Sequence, residues 1–147
     1  CIWTEEQRDA FTGIKKIVFF EGKVVVNGHV MDRPCCDEDD AIFYWEAEEF
    51  ERNSDADVRA NTFFHDCWHV VQYKRAGNRF ANGQAEQVAR EVDAINEQLK
   101  VAATLGNSPH EIQHLIAFRD NQQGIIARLR EGVGNQVAAH RPGFFRN

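Results

Sequence analysis

The sequence predicts an α+β domain in which a short antiparallel β-meander precedes a series of helices. Residues 14–31 are rich in β-branched and aromatic side chains, and Asn27-Gly28 is a strong signal for a turn between two strands. Later segments instead repeat apolar residues at helical spacing and carry helix-end signals. Because the strands come first and do not alternate with the helices, the α+β class is favoured.

The elements are predicted from the N-terminus onward. A first helix covers residues 4–13, with Thr4 as N-cap and Gly13 at its end, and the meander at 14–31 comes next. A loop over residues 32–39 contains a proline and two adjacent cysteines. The remaining helices are predicted at residues 41–51, 57–76, 84–105 and 109–131, and residues 132–147 are expected to form a loosely ordered tail.

Length and composition narrow the classes of function. The chain has 147 residues, of which 43% are hydrophobic, and this predicts one domain over residues 1–147 with a single modest core. A net charge of −6 gives no basic surface for nucleic acid, so we expect no nucleic-acid partner. No apolar run approaches the roughly 20 residues needed to cross a bilayer. The four cysteines lack disulfide or zinc-thiolate spacing, and we expect reduced thiols.

Acidic side chains are concentrated in one part of the chain. Residues 37–57 carry ten Asp or Glu, and Arg52 is the one base among them. One interpretation is a solvated helix face flanked by acidic loops. The other is a rim that attracts cations or a protein partner, and both stay open at this level.

His65 and His69 are the first candidates for a functional site. Residues four apart lie one above the other on a helix, so the two imidazoles can point at the same metal ion. The surrounding helix is apolar on most sides, which predicts that it is buried. Buried histidines need partners. The alternative to a metal is a pair of core histidines that bond to carbonyl groups or to Asp66.

A second pair, His110 and His114, matches His-Glu-x-x-His by letters. However, Ser108, Pro109 and Glu111 together form a helix-start signature, in which Glu111 closes a capping box. His110 then lies in the first turn, and the apolar stripe of this helix lies on another side. We therefore predict a capped, solvent-facing helix here.

A third metal ligand is expected from the helix at 84–105. The apolar residues of this helix form a stripe along one face, and Glu91 lies at the edge of that stripe. Glu91 is therefore the acid whose side chain can most easily point towards a neighbouring helix. Antiparallel packing after Asn82-Gly83 would bring Glu91 near His65 and His69. Alternatives for this third position are Asp93 and Glu86, which fall on the opposite flank.

These motifs resemble a known family. Residues 65–69 read H-D-C-W-H, and residues 91–94, which begin 22 positions after His69, read E-V-D-A. The pair is similar to the H-E-x-x-H…E-x-x-A pattern of gluzincin-type zinc metallopeptidases, including small bacterial and toxin-type effector domains. The resemblance covers residues 14–105. It implies a reduced zincin-like core.

The resemblance also implies a ligand set and a reaction. Zinc would be held by His65, His69 and Glu91, and Asp66 would stand in the position of the general base. The substrate would be a peptide or protein whose amide carbonyl is attacked by a metal-activated water. Asp66 departs from the family pattern because it is one methylene shorter than glutamate, and a displacement of about 1 Å can lower a rate about a hundredfold.

Two other classes of function are compatible with this departure. One is a catalytically weak metal-binding effector domain of the toxin type. The other is a non-enzymatic binding or interaction domain, in which the histidines are core residues and the acidic 37–57 segment contacts a protein partner. The compartment stays open between a soluble cytoplasmic protein and an exported effector domain.

Overall fold

A computed structural model describes residues 3–52 and 55–132, and over these residues the chain folds into five helices and five strands. This confirms the α+β class. The strands are β1 (Lys16–Phe20), β2 (Val24–Val26), β3 (His29–Met31), β4 (Cys35–Asp37) and β5 (Ile42–Glu46). The helices are α1 (Glu5–Gly13), α2 (Ala47–Arg52), α3 (Ala56–Arg75), α4 (Gly83–Ala102) and α5 (Pro109–Arg130).

The strands form two small sheets. β2 and β3 make the hairpin predicted at Asn27-Gly28, and both turn residues have positive φ, 50° and 78°, as a tight two-residue turn requires. The first strand of the predicted meander does not continue into this hairpin. β1 instead pairs in parallel with β5, which pairs antiparallel with β4 on its other side.

The helix predicted at residues 41–51 is wrong in its first half. Ile42–Glu46 is a strand, and only Ala47–Arg52 is helical. The β-branched and aromatic run Ile42-Phe43-Tyr44-Trp45 fits a central strand, in which Phe43 is fully buried. Glu46 then starts α2 by accepting a hydrogen bond from the Glu49 backbone N–H at 2.7 Å. The loop predicted at 32–39 also contains a strand, β4.

Helix α3 is the centre of the fold. On one side Phe64, Cys67 and Trp68 pack into a cluster with residues of α1 and α4. On another side Val70 packs against Phe43 and the neighbouring aromatic residues of β5. A helix held on several sides presents its side chains in fixed directions.

The longer helices agree with the predicted ranges to within three residues at each end. α1 begins at a capping box in which the Thr4 side chain accepts from the Gln7 backbone N–H. α4 and α5 lie next to each other, and Val88 packs with Ile125 between them. The predicted tail falls outside the described residues from position 133 onward. Within the described chain, no helix has both the length and the apolar character to cross a membrane.

Candidate metal centre

Helices α3 and α4 bring His65, His69 and Glu91 into direct contact. The Nε2 atom of His65 lies 3.1 Å from Nε2 of His69 and 3.1 Å from Oε2 of Glu91. Nε2 of His69 lies 3.0 Å from Oε1 of Glu91. All three side chains are buried, with residue exposures of 8%, 3% and 5%. Three ligand-type groups therefore converge on one point inside the protein.

The orientation of His69 is set by Gln72. The Gln72 Nε2 atom donates to the Arg90 backbone carbonyl and to Asp93 Oδ2, each at 2.8 Å. Carbonyl and carboxylate oxygens only accept, so the amide nitrogen must be on that side. The Gln72 Oε1 atom then faces His69 Nδ1 at 2.8 Å, and Nδ1–H is the donor. In the neutral imidazole this leaves the lone pair on Nε2, directed at Glu91.

His65 is held in the same way by a chain of side-chain amides. Its Nδ1 lies 2.7 Å from Gln98 Oε1, and the Gln98 amide nitrogen donates to the side-chain oxygen of Asn61. Asn61 donates to Asn107 Oδ1 at 2.5 Å, and Asn107 donates to the Asp57 carboxylate at 3.4 Å. Each donor direction is fixed by the carboxylate at the end of the chain. In the neutral imidazole this leaves the lone pair of His65 on Nε2, whereas a protonated imidazole donates from Nε2 to Glu91.

A group of acceptors facing one another is stable only with protons or a metal ion between them. Two imidazole lone pairs and a carboxylate at 3.0–3.1 Å repel unless protons or a metal ion lie among them. For Glu91, burial raises the pKa, but the charges of His69 and His65 and hydrogen bonds to both outweigh it and bring the pKa to about 2. The carboxylate is therefore ionised at neutral pH.

Asp66 lies beside the histidines. One carboxylate oxygen of Asp66 and one ring nitrogen from each of His65 and His69 all lie within 4.8 Å of one another. This buried group could hold a metal ion. Asp66 is only 2% exposed, and it borders a cleft between α3 and α5.

The cleft has a volume of about 380 Å³. Its lining includes His65 and Asp66, so it reaches the candidate metal centre. Apolar side chains line it as well, from Val58 on α3 and from Leu115 and Phe118 on α5. A ligand in the cleft would contact an apolar wall and the two polar residues together.

The two alternatives for a third ligand have other contacts. Asp93 accepts hydrogen bonds at 2.8 Å from Trp68 Nε1 and from Gln72. Glu86 forms ion pairs with Arg79 and Arg90, each at 2.9 Å. The Arg79 guanidinium, with help from the Asn82 backbone N–H and Arg90, lowers the pKa of Glu86 to about 2. Asp93 thus contacts the candidate centre indirectly, by holding the Gln72 side chain that faces His69. Glu86 instead stabilises the start of α4.

The second histidine pair lies on the surface, as predicted. His110 and His114 are exposed, and Ser108 and Glu111 form the expected capping box.

The acidic segment at residues 37–57 differs from the predicted solvated helix face with acidic loops, because several of its acidic side chains are buried and hydrogen-bonded. Asp37 accepts from two backbone N–H groups of its own loop, and Asp39 accepts from the Tyr73 hydroxyl at 2.7 Å.

Sequence reasoning missed the amides that orient the histidines. Gln72 lies one helical turn after His69 inside an apolar helix, where a polar side chain needs a partner. Gln98 lies seven residues after Glu91, on the same face of α4. Both positions were therefore visible in the helical pattern.

The cysteines of the described chain play no part in this cluster. Cys35, Cys36 and Cys67 are buried and are not joined in a disulfide. Burial raises the pKa of the Cys67 thiol, with a smaller contribution from Asp66, so this sulfur is a neutral core group.

Comparison with known proteins adds no family. No protein-family model matches the chain, and no curated protein or solved structure matches it. The resemblance to gluzincins stays a prediction that rests on the two motifs. The candidate metal centre is formed where α3 packs against α4.

Proposed function

We propose that this protein is a zinc-dependent hydrolase of the peptidase type, with His65, His69 and Glu91 as metal ligands and Asp66 as general base. One observation carries the proposal: two buried imidazoles and a buried carboxylate converge at 3.0–3.1 Å. A metal ion bound by all three groups accounts for this convergence, and protonated histidines paired with Glu91 are the metal-free alternative that the metal analysis tests.

The spacing of the three groups suits zinc. Nitrogen and oxygen ligands at about 2.0–2.1 Å from a tetrahedral zinc are roughly 3.3 Å from each other. The separations here are 3.0–3.1 Å, which small side-chain movements would bring to that value. Two imidazoles and one carboxylate form a ligand set of catalytic zinc sites, in which the fourth position is left for water. Gln72 and Gln98 supply the outer hydrogen bonds that such histidines require.

The chemistry supplied by a bound zinc ion is the activation of water and the polarisation of a substrate carbonyl. Asp66 would accept the proton of the attacking water as the new C–O bond forms. It would then return that proton to the leaving amine as the C–N bond breaks, so that the Asp66 carboxylate is regenerated. Val58, Leu115 and Phe118 would bind an apolar part of the substrate and exclude bulk water from the cleft.

Metal content is the first test. Protein purified without a histidine tag is expected to retain close to one zinc per chain after dialysis. Glu91→Gln keeps the size of the side chain but removes its charge, and we expect most of the zinc to be lost. His29→Ala is the matched control, since His29 is an exposed histidine on β3. A folded wild-type protein that binds no zinc at equimolar concentration would overturn the proposal.

Hydrolysis is the second test. Wild type, Asp66→Asn and Asp66→Glu are compared on a peptide library at equal zinc content. We expect activity to be lost in Asp66→Asn, because the amide cannot accept the proton. Full activity in Asp66→Asn would show that Asp66 is not the base.

A second candidate function is a metal-binding domain without hydrolytic activity, of the effector type. The observation in its favour is the short Asp66 side chain in the position of the longer glutamate. Zinc retention without hydrolysis in both the wild type and Asp66→Glu would select this alternative.

A further inference from the structure

The exposed histidines His110 and His114 have the same arrangement as the buried pair. Their Nε2 atoms are 3.2 Å apart, and their ring centroids are 4.6 Å apart with an angle of 86° between the planes. For His65 and His69 the corresponding values are 3.1 Å, 4.8 Å and 82°. Both pairs turn their Nε2 atoms towards each other.

The neighbouring acid Glu111 does not explain the convergence at the surface. Glu111, the residue between them that could bridge the rings, is used elsewhere: its carboxylate accepts from the Ser108 backbone N–H at 2.6 Å. Two Nε2 atoms this close share one proton or bind one cation. Since both residues are exposed, water can complete the coordination of such a cation.

We propose that His110 and His114 form a second, exposed binding site for a divalent transition-metal ion. Imidazole nitrogens suit Zn²⁺, Ni²⁺ and Cu²⁺, whereas Mg²⁺ and Ca²⁺ prefer oxygen ligands. With only two protein ligands, the site binds more weakly than the buried centre. The order of affinity follows the Irving–Williams series, in which Cu²⁺ is strongest.

The outer site lies at the rim of the cleft. His114 and Glu111 line the same cleft as His65 and Asp66. A metal ion on His110 and His114 therefore adds positive charge near the entrance to the inner centre. Both ligands of the outer site lie on α5, so the proposal of this site does not depend on the proposed hydrolase function.

Nickel titration tests this site directly, because Ni²⁺ binds imidazole without oxidising the thiols. Wild-type protein is first incubated with one equivalent of Zn²⁺, and Ni²⁺ is then titrated by calorimetry. We expect one more equivalent of Ni²⁺ to bind in the wild type than in either His110→Ala or His114→Ala. His29→Ala, another exposed histidine variant, is expected to bind as the wild type does.

A thermal measurement gives a second readout. An ion that bridges the first two turns of α5 stabilises the folded state, so Ni²⁺ is expected to raise the Tm of the wild type more than that of His114→Ala. Equal Ni²⁺ stoichiometry and equal Tm shifts in the wild type and both variants would overturn the proposal. If the inner centre binds no metal, the result would differ: the protein would not retain Zn²⁺ there, but the wild type would still bind one more equivalent of Ni²⁺ than His110→Ala or His114→Ala.

Discussion

Gln72 Oε1 lies 2.8 Å from His69 Nδ1, one helical turn away on the same helix, and this contact decides which nitrogen His69 presents to Glu91. The amide cannot rotate without losing its hydrogen bonds to the Arg90 carbonyl and to Asp93. Helix α4 therefore orients a histidine of α3 through a glutamine. The candidate metal centre depends on this outer layer of hydrogen bonds as well as on the three converging groups.

Gln72→Leu is expected to weaken zinc binding. The leucine cannot accept from His69 Nδ1–H, so the ring loses the contact that fixes its tautomer. Loss of such an outer partner lowers metal affinity about 10–100-fold. Competition with a chromophoric chelator measures the change, and Gln113→Leu, at an exposed position of α5, is the matched control. Equal zinc affinity in the wild type and Gln72→Leu would contradict the assigned role.

Zinc is expected to stabilise the folded protein through Glu91. At a free zinc concentration of about 100 times Kd, binding to the native state adds about 2.7 kcal/mol to the free energy of unfolding. Urea unfolding with and without zinc measures this increment in the wild type and in Glu91→Gln. We expect most of the increment to be lost in the variant, which keeps only the weaker site on α5. A zinc-dependent increment of the same size in both proteins would place the binding site elsewhere.

Gln122→Met is expected to raise stability. Gln122 is fully buried on α5, and neither its Nε2 nor its Oε1 has a hydrogen-bond partner among the described residues. Replacing such a group with an apolar side chain of similar length avoids a desolvation cost of about 1–3 kcal/mol. Urea unfolding of Gln122→Met is compared with that of Gln113→Met, an exposed control on the same helix. A clear loss of stability in Gln122→Met would mean that the amide is satisfied in solution.

Glu86 makes stability depend on pH in the acidic range. Its pKa is about 2 in the folded protein, below the ordinary value of 4.5, chiefly because of the hydrogen bond from Arg79. A lowered carboxyl pKa stabilises the native state above pH 4.5, and this contribution is lost as the pH falls towards 2. The Tm of Glu86→Gln should therefore fall less than that of the wild type between pH 5 and about pH 2. Glu51→Gln, at an exposed position of α2, is expected to behave as the wild type does.

The sequence by itself determined the features that depend on neighbours along the chain. The Asn27-Gly28 turn, the Ser108 cap with Glu111, and the contact between His65 and His69 all arise from residues within four positions of one another. Local backbone geometry and helical periodicity are sufficient for these features, so each was predicted correctly.

Only the tertiary structure decided the contacts that join distant parts of the chain. The aromatic run of β5 was predicted as a helix because its preference for a strand becomes decisive only when β1 and β4 lie on either side of it. Likewise, Glu91 was placed at an edge by periodicity, but its approach to both histidines depends on how α4 is rotated and packed against α3. Packing of side chains between helices sets that rotation, and no local pattern encodes it.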